Sequence, residues 1–311
     1  MTGKVCVFGS FNFDMVARVS RFPHPGESLV ANSSMTSAGG KGANQATAAF
    51  RSGANVHYIG KIGEDTFGQF ARRHLKSVGL NAVTLLTTDK VPTGNALIYV
   101  AEGEAENMIA VDPGANMTVT DEEIAQCASA IGCADVVLVQ LENNLSSIEQ
   151  VIAVGRENGA FVMLNPAPWQ QIDDVLLKKV DLVTPNATEA WLMTGCKVTD
   201  YESAGEAADI LHGRGCERVI ITMGSKGALL SESAGKTVIP CFPSRPCDTT
   251  GAGDAFNGAL AARLANGESM KDATRFASAF AAVSVEKLGA ATLPDLAEVE
   301  QRLLTDAPTS A

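Results

Sequence analysis

Asp248-Thr249-Thr250-Gly251-Ala252-Gly253-Asp254 runs straight into a long Ala-rich stretch. The glycines on either side of Ala252 let the chain turn sharply, and the residues that follow predict a helix over Ala255 to Leu264. Main-chain N–H groups at such a helix start have no intrahelical acceptor, and the positive end of the helix dipole favours an anion there. Asp254 sets a carboxylate inside that nest. A bound phosphate would repel it, so the placement makes chemical sense where the carboxylate takes the proton of a hydroxyl that attacks phosphorus. The segment reads as phosphoryl-transfer machinery.

Upstream of this turn, short apolar runs read as buried strands: Val5 to Phe8, Val56 to Ile59, Val136 to Val139, Phe161 to Leu164, Leu182 to Val183 and Val219 to Ile221. Helical stretches alternate with them, over Ala43 to Phe50, Phe67 to Val78, Asp121 to Ile131, Ile148 to Glu157, Glu189 to Met193 and Ser203 to Leu211. Strands that are apolar throughout, alternating with helices, predict an α/β fold with a mostly parallel sheet covered on both faces. Residues 15 to 36 and 93 to 111 break the pattern with Gly, Pro and β-forming alternation. They read either as a small antiparallel flap or as irregular surface loops. The C-terminal third holds a strand pair, Gly227 to Ser231 and Lys236 to Ile239, and a last helix over Met270 to Glu286. With no repeat or linker, one domain of residues 1–311 carrying a lid at about 12–38 and 90–112 is expected.

The bulk properties narrow the function. A net charge of −11 and a pI near 4.9 argue against a nucleic-acid or anionic-membrane binder. No apolar span of membrane length and no cleavable leader pattern stand in the chain, and a cytoplasmic location is expected. Seven cysteines without a Cys-x-x-Cys pair and four scattered histidines offer no disulfide framework or zinc site.

Gly39-Gly40-Lys41-Gly42-Ala43-Asn44-Gln45 opens a helix. Its glycines allow a polyhydroxylated ligand close to the main chain, with Lys41 and Asn44 as donors, although a Gly-rich start is equally a plain cap. Asn12 and Asp14 stand at alternate positions after the first strand, on one face of extended chain. They suit vicinal hydroxyls at a strand's carboxyl end, where a polar turn is also common, and Glu142 occupies the same kind of position. Asn186 and Glu189 read as a capping box, and also as a pair able to hold Mg²⁺ through water. Gly235-Lys236-Thr237 lacks the rest of a phosphate-binding P-loop and reads as a hairpin turn, and no Gly-x-Gly-x-x-Gly follows the first strand.

Asn12-x-Asp14, Gly39 to Ala46, Leu164-Asn165-Pro166-Ala167-Pro168, Thr184-Pro185-Asn186-x-Thr188-Glu189 and Asp248 to Asp254 together resemble the ribokinase family of sugar kinases, from about Val5 to Leu303. The resemblance implies a three-layer α/β/α ribokinase-like fold with a β-lid that often pairs with the lid of a second subunit in a homodimer. It implies ATP-dependent phosphorylation of the primary hydroxyl of a small sugar, most closely a pentose such as ribose. Asp254 matches the base and Gly251, Ala252 and Gly253 the anion hole. Asn12, Asp14, Gly40, Lys41, Asn44, Glu142 and Asp254 match sugar-binding positions, under lid residues Ala96, Ile98 and Val111. Asn186, Glu189, Thr222, Gly224, Ser225, Gly253 and Ser278 match the nucleotide site, with Glu189 holding Mg²⁺ through water. A monovalent cation, K⁺, is implied at Asp248, Thr250, Ser284, Lys287 and Gly289. Leu293 departs from the family's Ser there, which implies a weaker site. Phe13 departs from a commonly small residue. It either packs under the lid or offers a nucleobase platform, so a nucleoside kinase remains the alternative. A non-catalytic sugar sensor of the same fold could dispense with Asp254 and its glycines, which this chain keeps.

Overall fold

The computed structural model describes residues 2–101, 107–289 and 292–305. Residues 102–106 of the expected lid and Ala290 and Ala291 of the expected cation loop lie outside the described residues. The chain runs through β1 (Lys4–Phe8), β2 (Asn12–Val19), β3 (Ser33–Gly39), α1 (Lys41–Arg51), β4 (Asn55–Gly63), α2 (Thr66–Val78), β5 (Ala82–Thr88), β6 (Asn95–Ala101) and β7 (Asn107–Asp112). It continues through α3 (Asp121–Gly132), β8 (Val136–Val139), α4 (Leu145–Glu157), β9 (Phe161–Leu164), α5 (Asp174–Leu177), β10 (Leu182–Val183), α6 (Ala187–Thr194) and α7 (Tyr201–Gly213). The last elements are β11 (Val219–Thr222), β12 (Ala228–Glu232), β13 (Gly235–Ile239), α8 (Ala252–Ala265), α9 (Met270–Ser284) and α10 (Leu296–Thr305).

One sheet has the order β13-β12-β11-β10-β9-β8-β1-β4-β5. Every pairing from β11 to β5 is parallel, and β12 and β13 close one edge antiparallel. The hairpin stands where the sequence suggests, but its turn is Ser233-Ala234, and Gly235-Lys236-Thr237 is the start of β13 paired with β12. The period of two is visible in β1: Val5 and Val7 pack with α1, α8 and α9 on one face, Cys6 and Phe8 with α3 and α4 on the other. Both faces are covered, giving three layers around a mostly parallel sheet. β5 and α10 were not foreseen from the sequence. β5 is a half-buried edge strand diluted by threonines, and α10 is a short amphipathic helix.

A second sheet, β3-β2-β6-β7, stands on the carboxyl ends of the first. The expectation of an antiparallel flap needs correction, because its central pair, β2 with β6, is parallel. Both strands leave the body side by side, joined where the Phe13 amide donates to the Gly94 carbonyl at 2.8 Å, so both run outward. Each then turns back as an antiparallel partner, β3 or β7.

Candidate active site

The site begins with a close helix contact. A Cβ on Gly258 of α8 would lie 2.3 Å from the Gln45 carbonyl oxygen of α1, so only glycine lets the two helices approach this far. One turn earlier on α8, Asp254 is thereby set against Asn44 and Gln45, and it is 6% exposed. Asn44 Nδ2 donates to Asp254 Oδ2 at 3.1 Å and Gln45 Nε2 to Oδ1 at 3.0 Å. Gly251 caps α8 in the left-handed region at φ 78°, and the Ala252 amide folds back onto the Thr249 carbonyl at 3.2 Å. Gly253 and Asp254 follow at positions whose amides a helix cannot satisfy, and a Cβ on Gly253 would meet open space. The nest and its carboxylate thus share one turn.

Asn12 and Asp14 open β2, and the register puts Ser37, Ala96 and Val111 beside Asp14, with Val16 and Ile98 next along the same face. The lid residues Ala96, Ile98 and Val111 therefore share the Asp14 face. Asn12 Oδ1 accepts from Asn116 Nδ2 at 2.9 Å, which leaves its own amide as the group for a ligand. A Cβ on Gly39 would lie 2.2 Å from an Asp14 carboxylate oxygen, so that residue must be glycine for Asp14 to lie flat against the strand. Glu142 Oε2 accepts from the Lys41 amide at 2.9 Å and from the Ser10 hydroxyl. Burial, with the Glu142 carboxylate near it, pushes Asp14 up to about 7. Burial alone would lower the Lys41 ammonium, but Asp254, Glu142 and Glu189 hold it above the ordinary lysine value. Gly40, at φ 92°, is the turn that brings these groups to the start of α1.

On the other side of Asp254 lies a cavity of about 790 Å³ that reaches Asn186, Thr222, Gly224, Ser225, Gly253 and Ser278. Its apolar wall is Phe242, Pro243, Phe256, Ala281 and Val285, which suits a flat heteroaromatic ring. Asn186 and Glu189 form the capping box of α6, each side chain bonded to the other's amide at 2.8 Å. Burial pushes Glu189 up, against the Asn186 amide and Lys41, which favour its charge.

Asp248 ties the turn before α8 to the loop after α9: Oδ1 accepts from the Thr250 amide and Oδ2 from the Gly289 amide, both at 2.9 Å. Burial works against its charge, yet these bonds hold it below the ordinary carboxylate range. The carbonyls of Ser284 and Gly289 each accept one amide, from Lys287 and Thr292 at 3.0 Å. The Lys287 side chain turns away to Glu298 of α10, and Leu293 packs against the core rather than toward this loop.

The sequence reading gave no role to Gln140, Asn165, Thr184, Asn257 or Asn116, all buried around the site. Polar residues directly after apolar strands, as Gln140 follows Val139 and Asn165 follows Leu164, were the available signal. The apolar cavity wall had none, since Ala281 and Val285 read as ordinary helix core.

Carboxylates and amides able to hold a hydroxyl, a buried carboxylate placed to accept a proton, and a glycine-rich helix start beside a ring-sized cavity are what a small-molecule phosphotransferase requires. Comparison with known proteins places the chain more narrowly: it belongs to the pfkB family of carbohydrate kinases, whose model matches residues 2–296. It is 40% identical to the ribokinase of Haemophilus influenzae, over 93% of this chain and 94% of that protein. It is 36% identical to that of Staphylococcus aureus, over 97% of this chain and the whole of the other. The structure of Arabidopsis thaliana ribokinase complexed with ribose and ATP superposes with a TM-score of 0.89 at 30% identity, covering 97% of this chain and 99% of that one. Among the described residues no helix is long and apolar enough to cross a membrane.

Proposed function

We propose that the chain transfers the γ-phosphoryl group of ATP to the primary hydroxyl of a pentose, ribose first among them. The observation that carries this is Asp254: a buried carboxylate in the first turn of α8, between the sugar-facing Asp14 and Glu142 and the nucleotide-sized cavity. Asp14 accepts from vicinal hydroxyls, Asn12, Lys41 and Asn44 donate or position, and the lid strands close over the ring through Ala96, Ile98 and Val111. Asp254 Oδ2 takes the hydroxyl proton as the new P–O bond forms and the bond from the γ-phosphorus to the bridging oxygen breaks, that oxygen leaving with ADP. The amides of Gly251 and Gly253 meet the charge on the transferring group, with Ala252, whose amide is turned to the Thr249 carbonyl, holding the turn between them, and Lys41 adds the nearby positive charge. ATP occupies the cavity between Asn186, Thr222, Gly224, Ser225 and Ser278.

Mg²⁺ fits this donor set as a hydrated ion. Among the described residues no group of three or more His, Cys, Asp or Glu comes together to ligate a metal directly, and buried Glu189 with exposed Asn186 beside it suits water-mediated contact. Bound with ATP, it neutralises charge between the β- and γ-phosphates. A monovalent cation fits the Asp248 loop through main-chain oxygens at Thr250, Ser284, Lys287 and Gly289, with no ligand from Leu293. The lid pairs with that of a second copy, and the protein works in the cytoplasm. The nucleoside reading loses its support in Phe13, whose ring lies stacked on Phe67 of α2. The sensor reading loses its own in the intact base and nest. ADP release measured across pentoses, hexoses and nucleosides tests the proposal: ribose should give the highest kcat/KM, and a nucleoside exceeding it would replace the substrate assignment.

A further inference from the structure

We propose that Gln45 is a positioning residue for the reaction: it clamps one oxygen of Asp254 and leaves the other, on the Asn44 side, to take the substrate proton. The inference rests on the reading of Asp254 as the base. Its warrant is a chain of buried carboxamides whose direction is fixed at one end by the main chain. The Thr184 carbonyl can only accept, so Asn165 must present Nδ2 to it, at 3.1 Å. Asn165 Oδ1 then accepts from Gln45 Nε2 at 3.0 Å, and the same nitrogen donates to Asp254 Oδ1 at 3.0 Å. Gln45 Oε1 is left to accept, and Gln140 Nε2 donates to it at 2.7 Å. No member can flip its amide without breaking the next bond.

The chain also reaches the anion nest. Thr184 Oγ1 donates to Asn257 Oδ1 at 2.5 Å, and Asn257 Nδ2 donates to the Gly253 carbonyl at 2.9 Å. Base and nest are therefore held by one network rather than by α8 alone. Gln45, Gln140, Thr184 and Asn257 are each at most 2% exposed, which excludes water from competing for these bonds. The arrangement carries a cost: among the described residues Gln140 Oε1 finds no donor. A buried unpaired acceptor is unfavourable, and an apolar side chain would avoid it. Its retention is accounted for by the aim it imposes on Gln45. Gly9 makes the room, since a Cβ there would lie 2.1 Å from that oxygen.

The test is a double-mutant cycle between Gln45→Met, which keeps length but removes the donor, and Asp254→Asn. Gln45→Met alone should lower kcat by about tenfold or more with the KM values for ribose and ATP within about twofold, because only proton acceptance is misaligned. In the Asp254→Asn background the same change should alter kcat less than about twofold, since there is no base left to aim. An equal fall in both backgrounds, a rise in KM without loss of kcat, or wild-type kcat in Gln45→Met beside an impaired Asp254→Asn each overturns the positioning role while the base stands. Asp254→Asn retaining more than about a tenth of wild-type kcat removes the base itself and this inference with it. Should Gln45→Met not fold, Gln140→Met takes its place under the same criteria.

Discussion

The rings of Phe13 and Phe67 stack 4.2 Å apart at 7°, and Phe70 meets Phe13 edge-on at 4.9 Å. Phe13 belongs to β2 and Phe67 to α2, so the stack fastens the root of the lid to the body. It also decides which way the strand faces: with Phe13 turned to α2, its neighbour Asp14 is turned to the opposite side, toward Glu142 and Lys41. Phe13→Ala should lower stability by about 3 kcal/mol, the usual scale for truncating a buried aromatic ring. It should raise the KM for sugar several times more than that for ATP. An unchanged sugar KM in a variant confirmed to be folded would separate the stack from the lid's function.

The Asp14 carboxyl, pushed up to about 7 by burial and by Glu142, is protonated over much of the range in which ordinary carboxylates are ionised. The acceptor role proposed for it requires the charged form, so sugar KM should rise as pH falls below about 7 while ATP KM stays level. For the ligand-free fold the sign is opposite to the usual salt-bridged carboxylate. A raised folded-state pKa means the native state holds the proton between about 4 and 7, so stability declines as pH rises through that window. Asp14→Asn should therefore melt about 6 °C above the wild type at pH 8 and level with it near pH 4. Its sugar affinity should be lost at every pH. Calorimetry finding wild-type sugar affinity in Asp14→Asn would take Asp14 out of the sugar site.

Much of this site was legible before the fold was known, and the parts that were not share a cause. Asp254 and its glycines announce themselves because an acid within a Gly-rich helix start has few structural uses. The parallel strands β1, β4, β8, β9, β10 and β11 were visible as apolar runs, and the Asn186 and Glu189 capping box followed from spacing alone. The parallel pairing of β2 with β6 was not, because it joins segments far apart in sequence whose local alternation fits either direction. Phe13 was ambiguous for the same reason, its partner being supplied by α2. Gln140 and Asn165 looked like the polar ends of strands until packing brought them to Gln45.

The lid exposes Met35, Leu97, Tyr99, Met108, Ile109 and Val111, each between 41% and 55% accessible. So much apolar surface on a thin sheet favours burial against a second copy. Light scattering at micromolar concentration should find a homodimer, and Leu97→Lys should weaken it. A stable monomer would leave the lid as a simple cover.

Asp248 joins the turn before the nest to the loop after α9 through the amides of Thr250 and Gly289. Replacing K⁺ with tetramethylammonium at constant ionic strength should lower the initial rate. The half-activating K⁺ concentration should fall in Leu293→Ser if the hydroxyl can turn from the core to the loop. A rate indifferent to the cation would leave Asp248 as a structural cap.

The most direct test of Asp254 as proton acceptor is kcat for Asp254→Asn together with calorimetric titration of ribose and of an unhydrolysed ATP analogue. The prediction is a fall in kcat of about two to four orders of magnitude with both affinities within about threefold of wild type, because the amide keeps the size of the side chain and one of its two accepted hydrogen bonds while losing the base. A variant that binds both ligands and still turns over at more than about a tenth of the wild-type rate would contradict it.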